Sequence, residues 1–408
     1  MTTGAVTGAS TGNLTSPTVR LNKTSTTLLW RNGPRWDGVM PTTTGHRIFT
    51  DLTDPTAGPV VDDRQDTRCD IAWNDGTLWV VRGHATTSRI SRFSYDNGYT
   101  ADEAVDDVTV TGITTSNNDN SPVSMYRTPN GHLWVSVMRA NNLLLQRSTD
   151  GGATWLASAA NLNETAVQGP VEMTHFAHNG TTYLLLFGAE DNENDYRTFH
   201  IDQDATDISA GEWTDETSAL PGLLSGEAGS DDHLCVRSFG NIVYVATKVE
   251  RTADNNEPIA LFVRQPAGTW ARHEVVPTGD AGNRPTRPSV VIDGDNGNIY
   301  VMWGQINAPH ESQYKAVALD SLGDLEAQTA TVLLDGPPTY NDGALAPRAP
   351  IGSESGLLVV ANDFDSDDVW RAMLSIDPVP AGWHVVRDGL LVAAETSVVR
   401  DAALVLTA

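Results

Sequence analysis

A chain of 408 residues exceeds the size at which a single hydrophobic core keeps growing, so it holds either several domains or one repeat architecture. Its 52 acidic and 26 basic residues give a formal charge of -26, and such a surface repels phosphate backbones, which excludes nucleic acid as a partner. Lysine occurs only at 23, 248 and 315, a balance shared by proteins of high-salt organisms, where screening suppresses self-repulsion.

In chain order, residues 1–17 are mostly Thr, Ser, Gly and Ala and have little to bury. They read as a flexible N-terminal arm without the basic and apolar regions of an export signal. No run of about 20 apolar residues follows, so a soluble protein without membrane insertion is expected. Residues 18–67 hold the short strands "TTLLW", "RWDGVMP" and "HRIFTDL", one of which is expected to close a ring.

Six segments then share one layout, an apolar strand, a Gly/Asn turn and a second strand: "RCDIAWNDGTLWVVRG", "PVSMYRTPNGHLWVSVM", "VEMTHFAHNGTTYLLLFG", "HLCVRSFGNIVYVATK", "RPSVVIDGDNGNIYVMWG" and "RAPIGSESGLLVVAND". Anchored on Trp79, Trp134, Tyr183, Tyr244, Tyr300 and Leu358, they recur every 49 to 61 residues. That spacing suits four strands per unit, and a lone four-stranded unit cannot bury both faces. The expectation is an all-β, six-bladed β-propeller over 18–377, with the N-terminal arm before it and a C-terminal β-hairpin tail over 378–408. The tail turns at Asp388-Gly389 and ends on "ALVLTA", so it is expected to dock on the propeller or on another subunit. Cys69 and Cys235 lie in apolar runs without metal-ligand spacing and read as buried thiols.

Between the third and fourth strands of the second unit stands "RSTDGGATW", with Ser148, Asp150, Gly152, Thr154 and Trp155 in a fixed pattern. A weaker copy in the first unit keeps Ser94, Asp96, Gly98 and Thr100. The pattern resembles the Asp box, or BNR repeat, of sialidase-like β-propellers. Asp at the turn accepts backbone N–H bonds, Gly takes φ > 0 and Trp fills a gap between strands, so the motif is a turn and not a site. The resemblance implies catalysis by an arginine cluster, a Tyr/Glu pair and an Asp general acid. Arg68 stands eight residues before Gly76, close to the place of the first arginine, but "VVRGHATTSRISRF" contains no Asp or Glu to serve as the acid. Tyr340 has no assignable Glu partner.

Arg68, Arg287 and Arg348 head the first strands of the first, fifth and sixth units, where closure of a ring brings them together as an anion or glycan site; the alternative is local pairing with Asp or with carbonyls between blades. Asp363, Asp365 and Asp367 form an oxygen-rich loop suited to calcium, while Asp293 and Asp295 read as a hairpin turn. No motif requires a cofactor. With the acid missing, the expectation is a non-catalytic propeller, a virion structural or tail-associated receptor-recognition protein, with a halophilic host as its setting. Its partners would be other virion subunits, through the arm or tail, and a host surface glycan. The alternatives are a glycosidase or lyase acting on acidic glycans, and a cytoplasmic scaffold.

Overall fold

Runs of Val, Leu, Ile and Trp broken by Asn-Gly and Asp-Gly pairs fold as successive antiparallel hairpins. Asp75 and Gly76 take φ of 39° and 80° between the strands Arg68–Asn74 and Thr77–His84. Asn179 and Gly180, at 50° and 81°, do the same between Val171–His178 and Thr181–Ala189, the two-residue turn whose twist matches the strands. The structure is a computed structural model that describes residues 6–15, 27–42, 45–53, 56–64, 68–84, 87–113, 122–139, 142–162, 168–189, 196–222, 224, 227–251, 258–277, 284–307, 310–334, 347–352, 356–362, 368–374, 384–387, 390–393, 399–400 and 403–404.

Six antiparallel sheets of four or five strands follow one another over 29–62, 68–109, 124–169, 171–215, 227–276 and 285–334. These are the blades of the expected six-bladed β-propeller arrangement, numbered here first to sixth. Apolar clusters fill each junction: Leu145 and Leu186 between third and fourth blades, Val236 and Phe187 between fourth and fifth, Tyr244 and Val301 between fifth and sixth. From the second blade to the sixth, the first strand of each blade lies on the axial side, where it meets the first strand of the next.

The phase of the repeat differs from the sequence expectation. Residues 18–67 were expected to lend one closing strand, yet 29–62 build the whole first blade. Its leading hairpin turns on Gly33-Pro34, with Gly33 at φ 63°, so the strands Leu29–Asn32 and Arg35–Thr42 pair without outside help. The segment that begins near Arg348 instead forms a three-stranded sheet: Leu357–Asn362, Asp368–Leu374 and, antiparallel to the latter, Val6–Thr15. Residues 6–15, expected to belong to a free arm, therefore supply its outer strand. Leu357 to Ala361 share one core with Trp36 and Ile48 of the first blade and Met302 of the sixth, so this sheet stands between them and completes the ring.

The Ser148–Thr154 turn has the expected bonds. Asp150 accepts from the Thr154 amide (2.9 Å), the Thr154 hydroxyl (2.6 Å) and the Ser148 hydroxyl (2.8 Å), and Gly151 and Gly152 take φ of 72° and 95°. Trp155 packs against the junction of the second and third blades. The copy at Ser94, Asp96, Gly98 and Thr100 is a plain hairpin end instead: Ser94 pairs with Thr100 across the ladder, and among the described residues the Asp96 carboxylate accepts from Asn97 alone. With Ser94 in the ladder, Thr100 is drawn out of reach of Asp96. The tail pairs His384–Arg387 with Leu390–Ala393 as an antiparallel hairpin, while Asp388 and Gly389, expected to turn between them, lie outside the described residues. Cys69 and Cys235 are buried and unbridged, and burial pushes the Cys235 thiol up to about 11. Among the described residues no helix is long and apolar enough to cross a membrane.

Candidate functional site

Acidic residues on the axial strands tie neighbouring blades together. Asp70 is fully buried and accepts from the backbone amides of Thr27 (2.7 Å), Ile71 (2.9 Å) and Met125 (2.7 Å), which belong to three successive blades or their approaches. Glu172, 1% exposed, accepts from the Val236 amide of the next blade at 2.5 Å and from Arg237 Nη1 at 2.6 Å. Arg237 Nε donates to the Pro347 carbonyl at 2.9 Å. Arg348 completes this hub, donating to the carbonyls of Ile71 (2.9 Å) and Met125 (2.5 Å) and pairing with Asp70 (3.1 Å) and Glu172 (3.5 Å). Two buried carboxylates meet two guanidiniums, so the charge of the hub is compensated and its lone pairs are used, the condition for holding ions out of water.

Beside the hub, at the carboxyl ends of the axial strands, a cavity of about 300 Å³ opens. Trp30, Trp36 and Trp73 form one wall, with Trp30 and Trp73 stacked at 5.9 Å between centroids. Trp30 is held by its indole N–H on the Tyr99 hydroxyl (2.9 Å), which in turn donates to the buried Asp37 (2.7 Å). On the other side Tyr126 and His175 face each other from adjacent blades, the phenolic oxygen 2.5 Å from His175 Nδ1. Burial lowers the His175 pKa, so the imidazole is neutral near pH 7 and shares a hydrogen bond with the phenol. Burial raises the Tyr126 pKa, opposed by hydrogen bonding at Thr174 and by the Arg348 and Arg237 charges. The cavity thus holds a neutral phenol–imidazole pair, a combination able to pass a proton, among indole, aliphatic and guanidinium side chains.

Three arginines reach the cavity: Arg31, Arg127 and Arg348. Of these, Arg348 alone is matched by carboxylates among the described residues. Among the described residues Arg127 lies over the Trp79 ring at 5.5 Å and meets no carboxylate, and Arg31 keeps a buried Nε without a hydrogen bond. The cavity thus offers cationic donors to an anion.

Of the arginines expected to converge, Arg348 alone lines this cavity. Arg68 starts the axial strand of the second blade, opposite Gly83, and Arg287 is buried at φ 50° where the ladder of the sixth blade breaks between Thr286 and Ser289. They do not join it because they lie at the amino ends of their strands, while the cavity lies at the carboxyl ends. Arg348 itself follows the local alternative, spending its donors on carbonyls and carboxylates between blades. The candidate calcium residues Asp363, Asp365 and Asp367, and Tyr340, lie outside the described residues. Asp293 is buried and its carboxylate accepts from Asn296, as a hairpin turn requires.

Tyr126 and His175 were missed, although a signal existed. Each stands four residues before the Asn of its Asn-Gly turn, so the repeat itself puts them at equivalent places on neighbouring axial strands. The indoles Trp30 and Trp36 were missed because their hairpin was not counted as a blade.

No protein-family profile and no curated protein matches the chain. Solved structures do. A polysaccharide lyase, described as a PL25 ulvan lyase bound to -[GlcA(1-4)Rha3S]-, superposes with a TM-score of 0.54 at 8% identity, over 90% of this chain and 96% of that one. Aleuria aurantia lectin, a six-bladed β-propeller, is similar over 79% of this chain and 99% of its own, with a TM-score of 0.47 and 12% identity. An α-L-arabinanase of Penicillium chrysogenum is similar over 62% of this chain and 80% of its own, at 0.38 and 13%. The expectation of a non-catalytic virion or tail protein is overturned by the likeness to the ulvan lyase. The missing acid had excluded only one chemistry, hydrolysis with a carboxylic acid, and not catalysis as such. By its fold the chain takes its place among the β-propeller proteins.

Proposed function

We propose that the protein is a polysaccharide lyase that cleaves a uronate-containing glycan by β-elimination in the cavity beside the hub. The observation that carries this reading is the Tyr126–His175 pair, 2.5 Å apart, in one cavity with Arg31 and Arg127, which meet no carboxylate among the described residues. Elimination needs a cation on the uronate carboxylate to acidify the proton at C5, a base to remove it, and an acid for the departing O4. Arg127 and Arg31 serve the first need. The Tyr126–His175 pair takes the C5 proton as the C4–C5 double bond forms, and returns a proton to O4 as the C4–O4 bond breaks. The indole wall suits the apolar faces of sugar rings.

Hydrolysis fits less well. A glycosidase needs two carboxyl groups with free oxygens, whereas no carboxylate lines the cavity among the described residues, and those of the hub beside it, Asp70 and Glu172, are buried and committed to backbone amides and guanidiniums. The fold likeness to an ulvan lyase is consistent with elimination on an acidic glycan. The hydrogen-bonded turn at Ser148–Thr154 supports the finer placing near the Asp-box propellers, with their catalytic set replaced.

The test is incubation with uronate polysaccharides while following the ultraviolet absorbance of the unsaturated uronate. Tyr126→Phe and His175→Asn are expected to slow turnover by ~100- to 10,000-fold with unchanged circular dichroism. Saturated reducing ends as the only products, or wild-type rates in both variants, would sink the reading.

A further inference from the structure

The strands that carry Tyr126 and His175 belong to different sheets, so no backbone ladder sets the distance between them. Ser124–Arg127 is an edge strand, with the amide and carbonyl of Met125 turned to the axis and unpaired within its blade. Both groups are held from outside. Asp70 accepts from the Met125 amide at 2.7 Å, and Arg348 Nη1 donates to the Met125 carbonyl at 2.5 Å. The residue immediately before Tyr126 is therefore clamped on both sides, and the Arg348 guanidinium sits 5.6 Å from the centre of the Tyr126 ring. On the other strand the clamp is Glu172, which meets Arg348 Nη2 at 3.5 Å and Arg237 Nη1 at 2.6 Å, while Thr174 bonds Ser238 of the next blade at 2.8 Å.

We infer that Arg348 and Glu172 are positioning residues that hold Tyr126 and His175 at relay distance across the gap between the third and fourth blades, without touching the substrate. The inference rests on the lyase reading for its kinetic consequences and on the hub for its geometry. Arg348 is the one member that contacts both strands: Met125 through its carbonyl, and the His175 strand through Glu172. Its charge is neutralised by Asp70 and Glu172, so an anionic sugar gains little from it, in contrast to Arg31 and Arg127. The charged groups around the pair are then Arg31 and Arg127 on the cavity side and Arg348, Arg237, Asp70 and Glu172 on the hub side.

Glu172→Gln and Arg348→Lys separate positioning from binding. Turnover is expected to fall by up to about 100-fold with KM within about twofold of wild type, because a misplaced relay slows chemistry without weakening binding. The titration of the His175 imidazole, followed by NMR and assigned with His175→Asn, is expected to move in both variants. A raised KM at unchanged kcat would make Arg348 a substrate ligand and overturn the inference. So would wild-type kinetics with an unmoved His175 resonance. Glu172→Gln keeps an acceptor for the Val236 amide and carries the test if Arg348→Lys does not fold. If the wild-type protein eliminates no uronate glycan, the lyase reading fails, and the His175 resonance still decides whether the hub holds the pair.

Discussion

Arg127 and Arg348 differ by what surrounds them, although both line one cavity. Arg348 is spent on four acceptors of the protein, whereas Arg127 stacks over Trp79 and meets no carboxylate among the described residues. Arg127→Ala is accordingly expected to weaken binding of a uronate oligosaccharide by ~1.5–3 kcal/mol, the range for a hydrogen bond to a charged group, with little change in melting temperature. Calorimetric titration beside a thermal scan checks both halves, and a large stability loss with unchanged affinity would reverse the assignment. At this scale the sequence was partly legible. The Asp150 turn could be derived bond by bond from local chemistry, and the equal offsets of Tyr126 and His175 from their turns were visible in the repeat. The fate of Arg68, Arg287 and Arg348 was not, because position on a strand does not say which end of a closed channel carries the cavity.

Between elements, the junction of the fourth and fifth blades shows how side chains fasten one sheet to the next. Glu216, just after the short outer strand Thr214–Asp215, accepts from Arg264 Nε (2.7 Å) and Nη2 (2.6 Å) and from the Trp270 indole (3.1 Å), with His200 Nδ1 at 3.0 Å. Arg264 also lies 3.7 Å from the centre of the Phe176 ring. Burial alone would raise the Glu216 pKa, but the Arg264 and His200 contacts outweigh it and hold the carboxyl at about 2 against an ordinary 4.5. The folded state therefore binds this proton less tightly than the unfolded chain. The contribution is complete above pH 4.5 and is lost as pH falls towards 2, amounting to about 3 kcal/mol. Glu216→Gln is expected to flatten the fall in urea-unfolding stability across that interval while costing stability at pH 7. An unaltered acid limb in the variant would show that other carboxylates dominate it. Trp270 donates its indole N–H to Glu216, a partner 54 residues away that no local pattern announces.

For the molecule as a whole, the ring is completed by the most distant part of the chain. Val6–Thr15 covers the outer edge of Asp368–Leu374, so removal of residues 1–17 leaves that edge bare. The truncated protein is expected to melt a few degrees lower and to associate in a concentration-dependent way, as exposed edges do. Calorimetry and light scattering decide it, and an unchanged monomer with an unchanged melting temperature would show that the strand is dispensable. The sequence by itself determined the all-β class, the hairpins and the blade period, because each rests on contacts within a few residues: Gly or Asn at φ > 0 and apolar runs on either side. It did not determine which strands complete which sheet, nor that residue 348 would meet residues 70 and 172 beside the Tyr126–His175 pair. Those meetings occur between sheets that share no ladder, and only ring closure, driven by burying both faces of every blade, brings them to one axis.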